Sequence, residues 1–273
     1  MEATPSAEVF PGDSEAATSV RQEYGELLFA ESHVLITGEA GTGKSHMART
    51  LLGAGSRVAT VDARHSSEDR WLADLRAILE ASTGIVLQHL DELHPPVGLP
   101  LLNVLESVSS KRVIATARAP IAACHLLDGM FPGRLHLPPL REHVEDIPAI
   151  AAELLRVGHG IRNAYRLSAD ARRTLWAHDW PGNIAELRTV LDQATDLSPS
   201  RIIEPYSIRI PRDAGHGDGM RVARFKQDER QRLIDALEKT HHNKLATAEM
   251  LGIARSTLYL KLREFGIKSS ASA

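Results

Sequence analysis

The 273-residue sequence predicts an α/β fold: a parallel sheet covered by helices, then a small helical subdomain and a separate all-α domain. Three observations predict it. From about Val20 to Leu140 short apolar runs alternate with helical patterns, as expected of strands buried on both faces and joined by crossover helices. From 144 to 197 the strand pattern stops and helical patterns alone continue. A stretch carrying Pro, Gly, Ser and Asp then separates a last helical block from the rest. The expected organisation is therefore 1–140 for the α/β part, 141–200 for the helical subdomain, 201–220 for a linker and 221–273 for the final domain.

The elements follow in order. Residues 33–37 (His-Val-Leu-Ile-Thr) form a first strand that runs into a glycine-rich turn, and Lys44 opens a helix reaching Leu52. Strands are expected at 57–61, 84–90 and 111–116, with helices at 68–79 and 101–108 between them. The third strand runs up to Asp91-Glu92; Gln88 and His89 roughen it and read as edge or surface positions. Three helices are expected in the subdomain, at 145–157, 168–178 and 183–194.

Composition sets limits. With 43% hydrophobic and 25% charged residues the chain has the make-up of a globular protein, and its 4% aromatics leave the core to Leu, Ile, Val and Ala. No apolar run approaches the ~20 residues that cross a bilayer, and Met1–Ser14 has no basic stretch followed by an apolar one, so no secretory signal is read there. The single cysteine, Cys124, excludes an internal disulfide and an all-cysteine zinc site. The thirteen histidines show no ligand spacing, and His241-His242 reads as a solvated helix end. A cytoplasmic location with no membrane contact is expected. The net charge of −3 divides unevenly, with +5 on residues 221–273 and −8 on the remainder, which points to a nucleic-acid module appended to an acidic body.

The strongest motif is Gly38-Glu39-Ala40-Gly41-Thr42-Gly43-Lys44-Ser45, a complete G-x-x-x-x-G-K-[ST] placed between a strand and a helix. Glycines at 41 and 43 let the backbone curl until successive N–H groups point at phosphate oxygens. The helix opening at Lys44 adds its positive end. Lys44 is expected to reach the β- and γ-phosphates, and the Ser45 hydroxyl to ligate Mg²⁺. An ATPase site needs an acidic pair beyond a neighbouring strand. Asp91 is the expected Mg²⁺ carboxylate and Glu92 the residue that orients an attacking water. The cofactors implied are ATP and Mg²⁺.

The second motif occupies 225–267. Residues 231–239 form an amphipathic helix with Leu233, Ile234 and Leu237 on one face. Asn243 is a good N-cap for a helix from Lys244 to Leu251, and Gly252 ends it. A second helix over 254–265 is dense in Arg, Ser, Thr, Tyr and Lys, so the pair matches a helix-turn-helix. Leu258 and Leu262 turn inward. Arg255, Ser256 and Thr257 are placed to reach base edges, while Tyr259, Lys261 and Lys244 are placed to grip phosphates of double-stranded DNA.

With both ends placed, the chain resembles the AAA+ enhancer-binding regulators of bacteria, the sigma-54-activator type with a Fis-like C-terminal domain. The likeness rests on Val34–Lys44, on Leu137-Pro-Pro-Leu-Arg-Glu-His-Val-Glu-Asp-Ile-Pro148 at the opening of the lid, on Trp180-Pro-Gly-Asn-Ile-Ala-Glu-Leu-Arg188 at the second sensor, and on Asn243–Ile253 with Ser256-Thr-Leu-Tyr259. It implies an AAA+ sheet with a helical lid, assembly with other copies, and RNA polymerase as a further partner.

The departures matter as much. The loop that contacts sigma-54 in that family is absent, and only 47 positions separate Lys44 from Asp91. The first sensor aligns with Ala117-Arg118, and the second sensor's arginine aligns with Ala185. The arginines that reach a neighbouring subunit's ATP fall on Ala123 and Gly129, with Arg118 and Arg134 as nearby substitutes. An arginine supplied in trans contributes a rate factor on the order of 10³ to 10⁵, so these losses imply weak hydrolysis with binding retained. The leading expectation is a sequence-specific DNA-binding regulator with an ATP-binding switch domain that does not remodel sigma-54 polymerase. Two alternatives stay open: a DNA-stimulated ATPase acting as a remodelling or loading helper, and a repressor with a relic nucleotide fold.

Overall fold

The computed structural model describes residues 9–53, 57–68, 70–107, 111–118, 127, 129–159 and 165–210, together with parts of 234–247 and Leu262. The chain divides into two units, Met1–Ala214 and Gly215–Ala273.

Helix α1 (Glu15–Phe29) opens the first unit, earlier than the apolar pattern suggested, because Ser14 caps it by accepting from the Ala17 N–H. Strands β1 (Val34–Thr37), β2 (Val58–Asp62), β3 (Gly84–Gln88), β4 (Arg112–Ala117) and β5 (Gly133–His136) form one sheet in the order β2-β3-β4-β1-β5. All its pairings are parallel. Helices α2 (Lys44–Leu52), α3 (Trp71–Ala81) and α4 (Gly98–Ser107) fill the connections.

Period-two alternation along the inner strands feeds two cores. Val34, Ile36, Val86 and Ile114 pack with α1 and α2 residues such as Tyr24, Leu27, Ala48 and Leu51. Leu35, Leu87, Val113 and Ala115 pack on the opposite face with Leu75, Leu79, Leu101 and Leu105. Burial on both faces explains why these strands read as continuous apolar runs. The sequence had shown no strand at 133–136. As the strand beyond β1, β5 is buried only at alternate residues, so its Gly-Arg-Leu-His carries little apolar signal.

The lid comprises α5 (Ile147–His159), α6 (Ala169–Trp176) and α7 (Asn183–Asp196), as expected in number and place. Ser168 caps α6 by accepting from the Ala171 N–H. The lid is not wholly helical: β6 (Arg166–Leu167) pairs in parallel with β7 (Ile202–Ile203). Ile203, Ser207 and Ile208 are buried, so the stretch read as linker from 201 begins inside the lid. Trp180 is fully buried, donates its ring N–H to the Leu175 carbonyl at 2.8 Å, and meets His178 edge-on. Among the described residues no helix is long and apolar enough to cross a membrane.

Candidate functional site

The glycine loop leaves the carboxyl end of β1, where open parallel sheets bind ligands. Gly41 has φ 79° and Gly43 φ 95°, the left-handed region that a side chain disfavours. Gly43 caps α2 with no side chain of its own, which leaves the first-turn N–H groups for a ligand. Lys44 folds back over the loop, donating to the carbonyls of Gly38 at 2.7 Å and Glu39 at 2.6 Å. Burial, followed by the nearby Arg118, pulls the Lys44 pKa down, while the charges of Asp91 and Glu39 oppose the fall. Thr42 is buried and donates to the Glu39 carbonyl.

The lid docks directly on this loop. Ala185 N–H, in the first turn of α7, donates to the Gly41 carbonyl at 3.1 Å. A Cβ on Gly41 would lie 2.1 Å from the Gly182 carbonyl oxygen, so only glycine permits this approach. Asn183 donates to the Ala40 carbonyl at 2.9 Å and accepts from the Leu140 N–H at 2.8 Å. Arg141 grips Glu39 with two parallel bonds of 2.7 and 2.5 Å, and holds the Glu39 carboxyl down to about 2. On the other side Asp146 accepts from the N–H groups of Asp13 and Ser14, which ties the start of the lid to the cap of α1.

The acidic half of the site differs from expectation. β3 stops at Gln88 rather than Leu90, because His89 turns left-handed at φ 55°, ψ 44°. Nor is Gln88 on an edge strand, though it and His89 are partly exposed. β3 lies inside the sheet between β2 and β4, and the Gln88 amide donates to Ser45 Oγ at 2.6 Å. His89 Nδ1 lies 3.1 Å from Asp62 Oδ1, and Arg64 embraces the same carboxylate, holding Asp62 well below the usual carboxylate range. Asp91 and Glu92 sit in the one-turn 3₁₀ segment Leu90–Glu92 beyond the strand. Asp91 Oδ1 is buried with no hydrogen-bond partner, while Glu92 is ion-paired with Arg118.

The loop residues Gly38–Ser45 are thus brought together, and Asp91 is coupled to Lys44 through charge. Ser45 and Asp91 are not brought together by a hydrogen bond: the serine's side-chain partner is Gln88. Divalent Mg²⁺ beside a phosphate loop is held by the loop hydroxyl together with a carboxylate. Here the group against that hydroxyl is a neutral amide, and the residues around Ser45 do not fit the ion. Sequence reasoning missed Gln88 and gave no role to Arg141 or Asn183. The one local signal was a polar residue closing an otherwise apolar strand.

At the expected arginine positions, Arg118 faces Glu92, Gly129 is exposed, and Arg134 is an exposed residue of the outer strand β5. Ala123 lies outside the described residues.

In the second unit Leu237 and Leu262 are buried as expected, Ile234 is only partly buried, and Ala236 and Thr247 are buried as well. Asn243 behaves as the expected cap: its side-chain oxygen accepts from the Ala246 N–H at 3.3 Å and its carbonyl accepts from the Thr247 N–H at 2.8 Å. Thr240 and Thr247 join through their hydroxyls at 2.6 Å. Lys244 is a partly exposed helical residue. Arg255, Ser256, Thr257, Tyr259 and Lys261, like His241-His242, lie outside the described residues.

Comparison with known proteins yields three family profiles in chain order. "Sigma-54 interaction domain" matches 10–63, "AAA+ ATPase lid domain" matches 141–215, and "Bacterial regulatory protein, Fis family" matches 225–265. The three matched segments follow one another along the chain, a sigma-54-interaction segment first, an AAA+ lid next and a Fis-type segment last. Curated relatives include the propane 2-monooxygenase operon transcriptional activator MimR of Mycolicibacterium goodii, 28% identical over 86% of this chain and 41% of its own length. The formate hydrogenlyase transcriptional activator FhlA of Escherichia coli is 28% identical over 95% of this chain and 44% of its own length. The chain therefore spans less than half of these two relatives. Among solved structures, NtrX from Brucella abortus in complex with ADP superposes with a TM-score of 0.60 at 22% identity, over 94% of this chain and 68% of its own. The Thermotoga maritima RuvB Holliday junction branch migration motor superposes with a TM-score of 0.58 at 14% identity, over 96% of this chain and 90% of its own. These two likenesses are of fold alone, and the AAA+ assignment comes from the lid match over 141–215.

Proposed function

We propose that this chain is a sequence-specific, double-stranded-DNA-binding transcription regulator whose AAA+ domain binds ATP as a switch. The observation that carries the reading is the loop Gly38–Ser45, with Lys44 folded over it and the lid seated on it through Asn183 and Ala185, in a chain that also holds a Fis-type segment. NtrX is known in complex with ATP as well as ADP, which supports the choice of nucleotide. Asp91 and Glu92 are the acidic pair of the site. Glu92 is engaged by Arg118, and Ala185 stands where an arginine would touch nucleotide, so turnover is slow. Lys244, Tyr259 and Lys261 hold DNA phosphates, and Arg255, Ser256 and Thr257 read bases. The chain assembles with its own copies. It acts on RNA polymerase by a route other than sigma-54 remodelling, since the sigma-54-contacting loop is missing from the sequence.

Calorimetry with ATP on the parent chain and on Lys44→Ala tests the nucleotide reading: binding is expected for the parent and lost in the variant. No binding by the parent would favour a relic fold. DNA-stimulated hydrolysis well above about 1 s⁻¹ would favour a remodelling motor. Sigma-54-dependent open-complex formation with purified components would overturn the proposed route to polymerase.

A further inference from the structure

In phosphate-loop proteins the nucleotide's Mg²⁺ depends on a carboxylate beside the loop hydroxyl, and in this chain that place is taken by Gln88. We infer that the nucleotide site works without a tightly held divalent cation: phosphate is gripped by the loop N–H groups and Lys44 alone, and affinity is nearly independent of Mg²⁺. The inference rests on the reading of Gly38–Ser45 as a nucleotide site.

Four observations converge on it. Gln88 is the last residue of β3, and its amide donates to Ser45 Oγ at 2.6 Å. An amide is uncharged whichever of its two ends faces the hydroxyl, whereas Mg²⁺ gives up its water reluctantly and then chiefly to carboxylate and phosphate oxygens. The next residue, His89, is no substitute, because its ring is held against Asp62 and the Asp62 charge is already met by Arg64. Asp91 comes only after the left-handed turn at His89; its buried oxygen bonds to neither Ser45 nor Lys44, and its coupling to Lys44 is through charge. Among the described residues no cluster of three His, Cys, Asp or Glu side chains could hold a metal ion. Asp91 thereby stands as a counter-charge to the half-buried Lys44.

The test is nucleotide affinity of the full chain, measured by calorimetry with ATP in millimolar MgCl₂ and again in EDTA. The parent is expected to change its Kd by less than about threefold between the two buffers, and Gln88→Asp to acquire a dependence of about tenfold or more. A parent that loses more than about tenfold in EDTA overturns the inference outright, with no variant needed. If Asp91→Asn then removes that dependence, the cation is held where the sequence first placed it. Absence of binding in both buffers overturns the nucleotide reading and this inference with it, and so is distinct from a metal-dependent result.

Discussion

Glu39 shows how much a single side chain contributes here. It stands inside the glycine loop proposed to hold phosphate, where a negative charge would be unwelcome to the ligand, yet Arg141 draws it away by a two-pronged pair. Because its carboxyl is held down to about 2, any stabilisation it supplies is fully present above its ordinary value of 4.5 and is lost as pH falls toward 2. Titration of the Glu39 carboxyl by NMR is expected to show a midpoint near 2, and Arg141→Ala to return it toward 4.5. The pair is well exposed, so the same variant should cost only about 0–1 kcal/mol in global stability. Its larger effect should fall on how the lid meets the loop.

At the scale of elements, the lid is held by a small number of features. Trp180 fills the centre of its core, and truncation to alanine is expected to cost about 3–5 kcal/mol, read as a lower thermal midpoint. Gly41 belongs to both subdomains at once. Gly41→Ala meets a left-handed backbone penalty of about 1–2 kcal/mol, and its methyl also collides with the Gly182 carbonyl. Chemical denaturation is expected to show the stability loss, and calorimetry a weakened grip on ATP. If the variant bound ATP as the parent does, the lid–loop contact would have no part in the site.

For the whole molecule, the division of charge is the guide. A net +5 on the last 53 residues against −8 on the rest separates the polyanion-binding end from the body. Lys244→Ala is expected to lower DNA affinity evenly across sequences and to reduce the salt slope by about 1. Arg255→Ala is expected to cost about 1–3 kcal/mol at the specific site and to blur sequence preference. A salt titration on specific and random duplexes checks both. Unchanged binding by both variants would displace the recognition helix from 254–265.

The glycine loop, the parallel sheet, the lid helices and the Asn243 cap are all legible in the sequence, because each is encoded by residues adjacent in the chain: a glycine spacing, an apolar period, a capping side chain. What tertiary structure decided is the partner of each functional group. Gln88 lies 43 positions from Ser45, and Arg141 lies 102 from Glu39. Whether β3 ends at Gln88 or carries on to Asp91 turned on one left-handed residue, His89, which no apolar pattern records. Local chemistry wrote the glycine loop into the sequence; the folded sheet set an amide, rather than a carboxylate, beside its serine.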